Sequence, residues 1–199
     1  QNQISYYTSV RAIDFAGNES DISTADGIVY DNEPISIVNI NPELYEYIGV
    51  FEPEEITIYF NKDVVSYNVN IISEYSDTLT FSDSYSDSVL TITLDSTLFT
   101  SDALRIELTD LISLNELTTN DTFVLYSTFW GDLNEDYFLD VLDVVEFNTT
   151  WPNIDLAPMV GDVPYMKPNL DGISNLRDMA IFAQMWTWNY KLNEKIPAF

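Results

Sequence analysis

The chain has 199 residues with 33 acidic side chains against 7 basic ones, a formal net charge of -26, and such a surface repels phosphate backbones and anionic lipid alike. Cysteine and histidine are both absent, which excludes disulfides, thiolate nucleophiles, Cys/His zinc sites and a Ser-His-Asp triad, and leaves hard, oxygen-ligated cations as the metals the chain can hold. Aromatics at 14% and hydrophobics at 46% argue against disorder. The length suits one large domain or two small ones, and no apolar run reaches the length of a membrane span. The start at Gln1 and the end in KIPAF, with no signal peptide, read as a piece of a longer polypeptide.

Taken in chain order, the first zone contains SYYTSVRAIDFAGNES. Tyr6, Thr8, Val10 and Ala12 alternate with Tyr7, Ser9, Arg11 and Ile13, which predicts a strand with one face more deeply packed, and Ala16-Gly17-Asn18 supplies a turn. The pattern resembles the last two strands of a fibronectin type III domain, whose penultimate strand often reads Y-x-x-x-V-x-A-x-D-x-x-G. Two strands bury no core of their own, so the resemblance implies that the rest of that domain lies upstream. A lone hairpin packed on the next domain is the alternative.

A polar connector, TADGIVYDNEP, leads to a zone of strand-like text from Ile35 to about Thr128: ISIVNI, EITIYF, YNVNII, TLTF, VLTITL, ALRIEL and TFVLYS, separated by Pro, Asn, Asp and Ser clusters. Seven short runs without a helical period predict an antiparallel sandwich. The text resembles a bacterial immunoglobulin-like module that opens on an N-x-P turn and has a strand ending in F-x-K-x-V, here Asn41-Pro42 and Phe60-Asn61-Lys62-Asp63-Val64. No convergent polar set stands in this zone, so its expected role is spacer or adhesive stalk.

From Gly131 the chain repeats itself. A slide of 35 residues matches Asn134 to Asn169, Asp136 to Asp171, Asp140 to Asn175 and Asp143 to Asp178, then Val144 to Met179, Phe147 to Phe182 and Trp151 to Trp186. The apolar members recur at i, i+3 and i+7, one face of a helix, so the unit is an acidic loop followed by an amphipathic helix, used twice. That register places Trp186 in a core and leaves Trp188 off the stripe, free to face a partner.

In a twelve-residue calcium loop, oxygen ligands come from positions 1, 3, 5, 7, 9 and 12, with position 7 acting through its carbonyl. Counted from Asp132, these are Asp132, Asn134, Asp136, the Phe138 carbonyl, Asp140 and Asp143. Hard oxygens so crowded repel one another unless a divalent cation neutralises them. The rival reading is a solvated turn capping a helix. In the second loop position 1 is Lys167, which cannot ligate. Asn169, Asp171, the Ile173 carbonyl, Asn175 and Asp178 remain, with Asp162 as a substitute from the preceding turn, and simple capping by Asn175 is the rival. Tyr137 stands at position 6, where a left-handed conformation favours glycine and a non-Gly residue costs roughly 1 to 2 kcal/mol; Gly172 fills that place in the second loop.

This duplicated unit, Gly131 to Trp188, resembles a type I dockerin. The resemblance implies a compact all-helical module, two calcium ions, the second at a degenerate site, and docking to a cohesin-like partner in an extracellular assembly that often degrades polysaccharides. It also implies partner contacts at loop positions 10 and 11, here Val141 and Leu142 and then Leu176 and Arg177; packing against the neighbouring sandwich is the alternative for the apolar pair.

The expected fold class is therefore an all-β immunoglobulin-like sandwich followed by a small all-α calcium-binding domain with EF-hand-type loops. Residues 1–24 are the strands of a truncated fibronectin type III domain, 25–34 a linker, 35–128 the sandwich, 129–190 the dockerin-like domain and 191–199 a tail or the start of the next linker. The expected function is a calcium-binding docking and spacer segment, non-catalytic, of a secreted or surface-attached multidomain bacterial protein, with no nucleic-acid partner. The alternatives are a structural stalk stiffened by calcium and an accessory region of a secreted hydrolase.

Overall fold

Residues 4–44, 46–51, 54–76 and 79–195 are described in a computed structural model. Four short strands open it: β1 (Ile4–Tyr6), β2 (Ser9–Val10), β3 (Ser23–Thr24) and β4 (Ile28–Tyr30). They form a ribbon in which β1 pairs with β4 and β2 with β3, both antiparallel. Its turn is held by Asp14, whose Oδ1 accepts from the Ala16 and Asn18 N–H groups at 2.8 and 2.9 Å. The expected packed face is absent: residues 5–27 are exposed throughout, as a two-stranded ribbon without a covering layer must be.

Beyond Tyr30 the connector is tied to the strand-rich region, because the Lys62 ammonium donates to Asp31 at 2.7 Å and the Asn115 amide donates to the Asp31 carbonyl at 2.8 Å. Eight strands build two sheets there: β5 (Ile37–Asn41), β6 (Tyr47–Ile48), β7 (Glu54–Phe60), β8 (Val64–Ser73), β9 (Phe81–Ser86), β10 (Val89–Leu94), β11 (Ala103–Ser113) and β12 (Thr118–Ser127). One sheet runs β5-β7-β10-β9 and the other β6-β12-β11-β8.

Strict alternation creates the core between them. Ile56, Ile58 and Phe60 on β7 and Leu90, Ile92 and Leu94 on β10 point inward, with Ile56 opposite Ile92 and Ile58 opposite Leu90. Leu104, Ile106 and Leu108 on β11 meet Phe123 and Leu125 on β12. Each such side chain contributes about 1.5–3 kcal/mol on burial. Leu108 and Leu111 are both buried although three residues apart, which a period of two forbids. A register shift between them restores the phase, with Asp110 at φ 52 and its N–H on the Asn120 carboxamide. The β9–β10 turn is the two-residue Asp87-Ser88, both at positive φ, the mirror-image turn that matches strand twist.

After β12 come helix α1 (Val141–Thr150), strands β13 (Met159–Asp162) and β14 (Tyr165–Pro168), and helix α2 (Leu176–Lys195). The two helices meet through Phe147 and Phe182, stacked at 4.7 Å, with Trp151 and Trp186 flanking them. The Asn189 amide donates to the Leu139 carbonyl and so fastens α2 to the first loop. The antiparallel β13–β14 hairpin grips the sandwich: the Thr100 N–H donates to the Met166 carbonyl at 2.9 Å, while its hydroxyl donates to the Pro164 carbonyl and accepts from the Met166 N–H. Tyr75 stacks on Tyr165 beside this contact at 3.5 Å. Gly161 is required here, since at φ 110 an added Cβ would lie 2.7 Å from the Tyr165 carbonyl oxygen.

The expected fold class is corrected by these elements. The chain is β-rich, with fourteen strands and two helices among the described residues, and the region after β12 carries a hairpin between its helices. It is no separate all-α domain. The helical stripe is also incomplete: Met179, the partner of Val144 in the repeat, is 43% exposed.

Candidate cation loops

The first loop is assembled around two acidic side chains that leave solvent. Asp132 is 7% exposed; its Oδ1 accepts from the Asp136 N–H at 3.2 Å and its Oδ2 from the Tyr137 N–H at 2.8 Å. Asp143, fully buried, accepts from the Leu133 N–H through Oδ1 and from the Asp140 N–H through Oδ2, both at 2.7 Å. Asp140 in turn caps α1, its Oδ1 accepting from the Leu142 N–H, which with Asp143 makes a capping box. Asp136 Oδ1 accepts from the Phe138 N–H at 3.0 Å and Asp136 Oδ2 from the Asn134 amide at 2.9 Å. The carboxylates thus organise the loop's own N–H groups, and each oxygen retains a further lone-pair direction.

The electrostatics reflect this crowding. Burial pushes the Asp132 carboxyl above its ordinary range and the charges of Asp143 and Asp136 add to it, against the Tyr137 and Asp136 N–H groups. The loop's field reaches the sandwich, where the Tyr47 hydroxyl is pushed up to about 12 by burial and then by the charge of Asp132. Tyr137 adopts φ 71, the left-handed conformation that position 6 demands, and its ring stands edge-on to Tyr47 at 4.7 Å. That pair contributes about 0.5–1.5 kcal/mol, which offsets the backbone cost.

The second loop repeats the frame. Asp171 Oδ1 accepts from the Ile173 N–H at 2.9 Å, Asn175 Oδ1 from the Arg177 N–H at 2.8 Å, and Asp178 Oδ2 from the Asn175 N–H at 2.7 Å. Gly172 sits at φ 74. The Ile173 carbonyl accepts from the Asn175 amide, and Asn169 is exposed, with its N–H on the Pro158 carbonyl. Asp178 is fully buried, and its Oδ1 accepts from the Leu156 and Ala157 N–H groups at 2.7 and 2.9 Å. Asp162 lies in the β13–β14 ladder opposite Tyr165, exposed. Asp155, a residue the sequence pattern does not single out, accepts from the Gly172 N–H through Oδ2 at 2.6 Å. No local signal marks it: the Asp-Leu pair it shares with Asp132-Leu133 also occurs at Asp110-Leu111, in a strand.

Of the expected partner-facing residues, Val141, Leu142 and Leu176 are 64%, 52% and 74% exposed, and Arg177 is exposed as well. Trp186 is half-buried against Phe182, while Trp188 is also half-buried, edge-on to Phe129, rather than presented outward.

No known family and no curated protein matches this chain. Among the described residues no group of three or more acidic side chains converges as a ready metal cluster. With the hairpin between the helices, these findings withdraw the dockerin resemblance. The immunoglobulin-like and fibronectin type III resemblances likewise find no matching family, and the cohesin-like partner loses the basis it had. No helix among the described residues is long and apolar enough to cross a membrane.

Proposed function

We propose that this chain is a non-catalytic spacer segment of a modular extracellular protein, stiffened by a calcium ion in the loop from Asp132 to Asp143. The observation that carries the reading is the placement of Asp132 and Asp143, two acidic side chains nearly or wholly out of solvent, at the ends of a loop with Asn134, Asp136 and Asp140 between them. Like charges at this spacing repel in the absence of a cation, and oxygen donors at these positions suit calcium more than magnesium. The affinity would rest on a few carboxylates supplemented by amide and carbonyl oxygens. Such a site suits the calcium-rich exterior of a cell, where modules bind at about 10⁻⁴–10⁻³ M.

The stiffening arises from the loop's neighbours. It is continuous with β12 on one side and caps α1 on the other, and Tyr137 packs on Tyr47 of the sandwich. A cation held there restrains the joint between the two.

Thermal unfolding of the whole chain, followed by tryptophan emission in calcium, magnesium or chelator, tests this. Calcium at about 100 times its dissociation constant should add about 2.7 kcal/mol, with a smaller effect of magnesium. An unchanged melting temperature and no heat on calorimetric titration would refute the reading. A second reading, a protein-docking face formed by Val141, Leu142, Leu176 and Arg177, is favoured by the exposure of the three apolar members.

A further inference from the structure

The second loop lacks an acidic residue where the 35-residue repeat requires one, since Lys167 stands at the place of Asp132. The structure puts another residue there. In the first loop the position-1 carboxylate Asp132 accepts from the N–H of the position-6 residue, Tyr137, and the next N–H in the chain, that of Leu133, donates to the buried Asp143. In the second loop the Asp155 carboxylate accepts from the N–H of the position-6 residue, Gly172, and the next N–H, that of Leu156, donates to the buried Asp178. The dipeptide Asp155-Leu156 therefore does spatially what Asp132-Leu133 does. Pro168, the residue aligned with Leu133 in the repeat, has no N–H to give.

The geometry points to a split second cation site, which rests on the calcium reading of the first: Asp155 supplies the first ligand, and residues 157–168, including the whole β13–β14 hairpin, are an insertion between loop positions 2 and 3. With that insertion set aside, Asp155, Asn169, Asp171, Ile173, Asn175 and Asp178 fall at positions 1, 3, 5, 7, 9 and 12 of a twelve-residue loop. Lys167 lies in the hairpin ladder opposite Val160 and takes no part in the loop.

A separate observation supports a ligand. The Oδ1 atom of Asp155 is closed off from solvent and has no hydrogen-bond partner among the described residues. A buried carboxylate oxygen left unsatisfied is strongly unfavourable. Its sister oxygen accepts from the loop backbone between Asp171 and Ile173, which brings the carboxylate to this loop, and a divalent cation held there would satisfy Oδ1.

Calorimetric titration of the full chain with calcium chloride, beside Asp155→Asn and Asp132→Asn, tests the assignment. The unaltered chain should take up two equivalents and each variant one. A Lys167→Asp change added to Asp155→Asn should not restore the lost equivalent, because residue 167 is outside the loop. Near-ultraviolet dichroism reports whether the variants keep their fold; if Asp155→Asn does not, the exposed Asp171→Asn should remove the same equivalent. Two equivalents retained by Asp155→Asn, or rescue by Lys167→Asp, would overturn the split site and leave the first loop's reading intact. No calcium uptake by the unaltered chain would overturn both, and a single equivalent that survives in Asp155→Asn but disappears in Asp132→Asn would overturn the second site alone.

Discussion

Removal of the Asp178 carboxylate should be among the most damaging single changes in the chain even without a cation. The side chain is fully buried and receives three backbone N–H groups, those of Leu156, Ala157 and Asn175 at 2.7, 2.9 and 2.7 Å. A hydrogen bond to a charged group contributes about 1.5–3 kcal/mol, and a buried donor left alone costs about 1–3 kcal/mol. The contributions do not add, because water can enter the space an alanine leaves, so Asp178→Ala should cost about 3–5 kcal/mol. Asp178→Asn keeps an acceptor for Leu156 and Ala157 but turns an NH₂ group toward the Asn175 N–H, and should cost about 2 kcal/mol.

The assay is urea unfolding in chelator, followed by tryptophan emission. All four tryptophans, at 130, 151, 186 and 188, lie in the region that Asp178 holds together. With a urea slope of about 2 kcal/mol/M, the alanine variant's midpoint should fall by about 1.5–2.5 M. Asp162→Ala, an exposed acid on the hairpin, should stay within about 0.5 kcal/mol of the parent. Acid should act in the same direction. Burial raises the Asp178 pKa, but the N–H groups of Asn175, Leu156 and Ala157 outweigh it and hold the carboxyl below its ordinary range. The stability it gives is then complete above the unfolded value of about 3.9 and is lost as pH falls through the depressed folded value. A loss below about 1 kcal/mol for Asp178→Ala would refute the claim that this carboxylate organises the second loop.

Thr100→Val should cost about 2–3 kcal/mol, because it strips the buried hydroxyl from the Pro164 carbonyl and the Met166 N–H; hydrogen exchange at Met166 should accelerate, and unchanged exchange there would count against the hairpin as a clasp. Asp102 should give the opposite pH dependence to Asp178. Burial raises its folded pKa, against hydrogen bonds from the Ser73 hydroxyl and the Glu74 N–H. The folded state therefore binds the extra proton between the unfolded value of about 3.9 and the raised one, and stability falls as pH rises through that window. Unfolding free energies measured across it should lose this slope in Asp102→Asn, and an unaltered slope would assign it elsewhere.

The strands were legible where they are buried on one face. VLTITL and ALRIEL announce β10 and β11 through alternation, and the structure places Leu90, Ile92, Leu94, Leu104, Ile106 and Leu108 inward. β9 was legible at its first residue only, because FSDSYS lies on a sheet edge with only Phe81 and Tyr85 half-buried, so its pattern carries little apolar signal. β6 has two residues and no local signature at all. The loop polar residues were readable because their spacing is local, from Asp132 to Asp143 and from Asn169 to Asp178. Asp155 was not, because its contact with Gly172 spans 17 residues and exists only once the hairpin folds back.

That hairpin also accounts for the unequal chemistry of the two loops. In the first, the chain passes directly from β12 into Asp132, so the position-1 ligand is contiguous with the rest. In the second, the chain leaves after Leu156, runs out through β13 to the turn where Thr100 receives it, and returns through β14 to Asn169. A lysine in β14 is harmless because it sits in the ladder opposite Val160, outside the loop. The excursion has a mechanical consequence: the hairpin is rooted in the second loop at one end and clasped by the sandwich at the other, so its orientation depends on both. A cation between Asp155 and Asp171 would close the root across the insertion, leaving the hairpin less freedom to swing on Thr100. Stiffness of the joint would then depend on both loops, the first through Tyr137 on Tyr47 and the second through the hairpin, and removal of either site alone should soften it only in part.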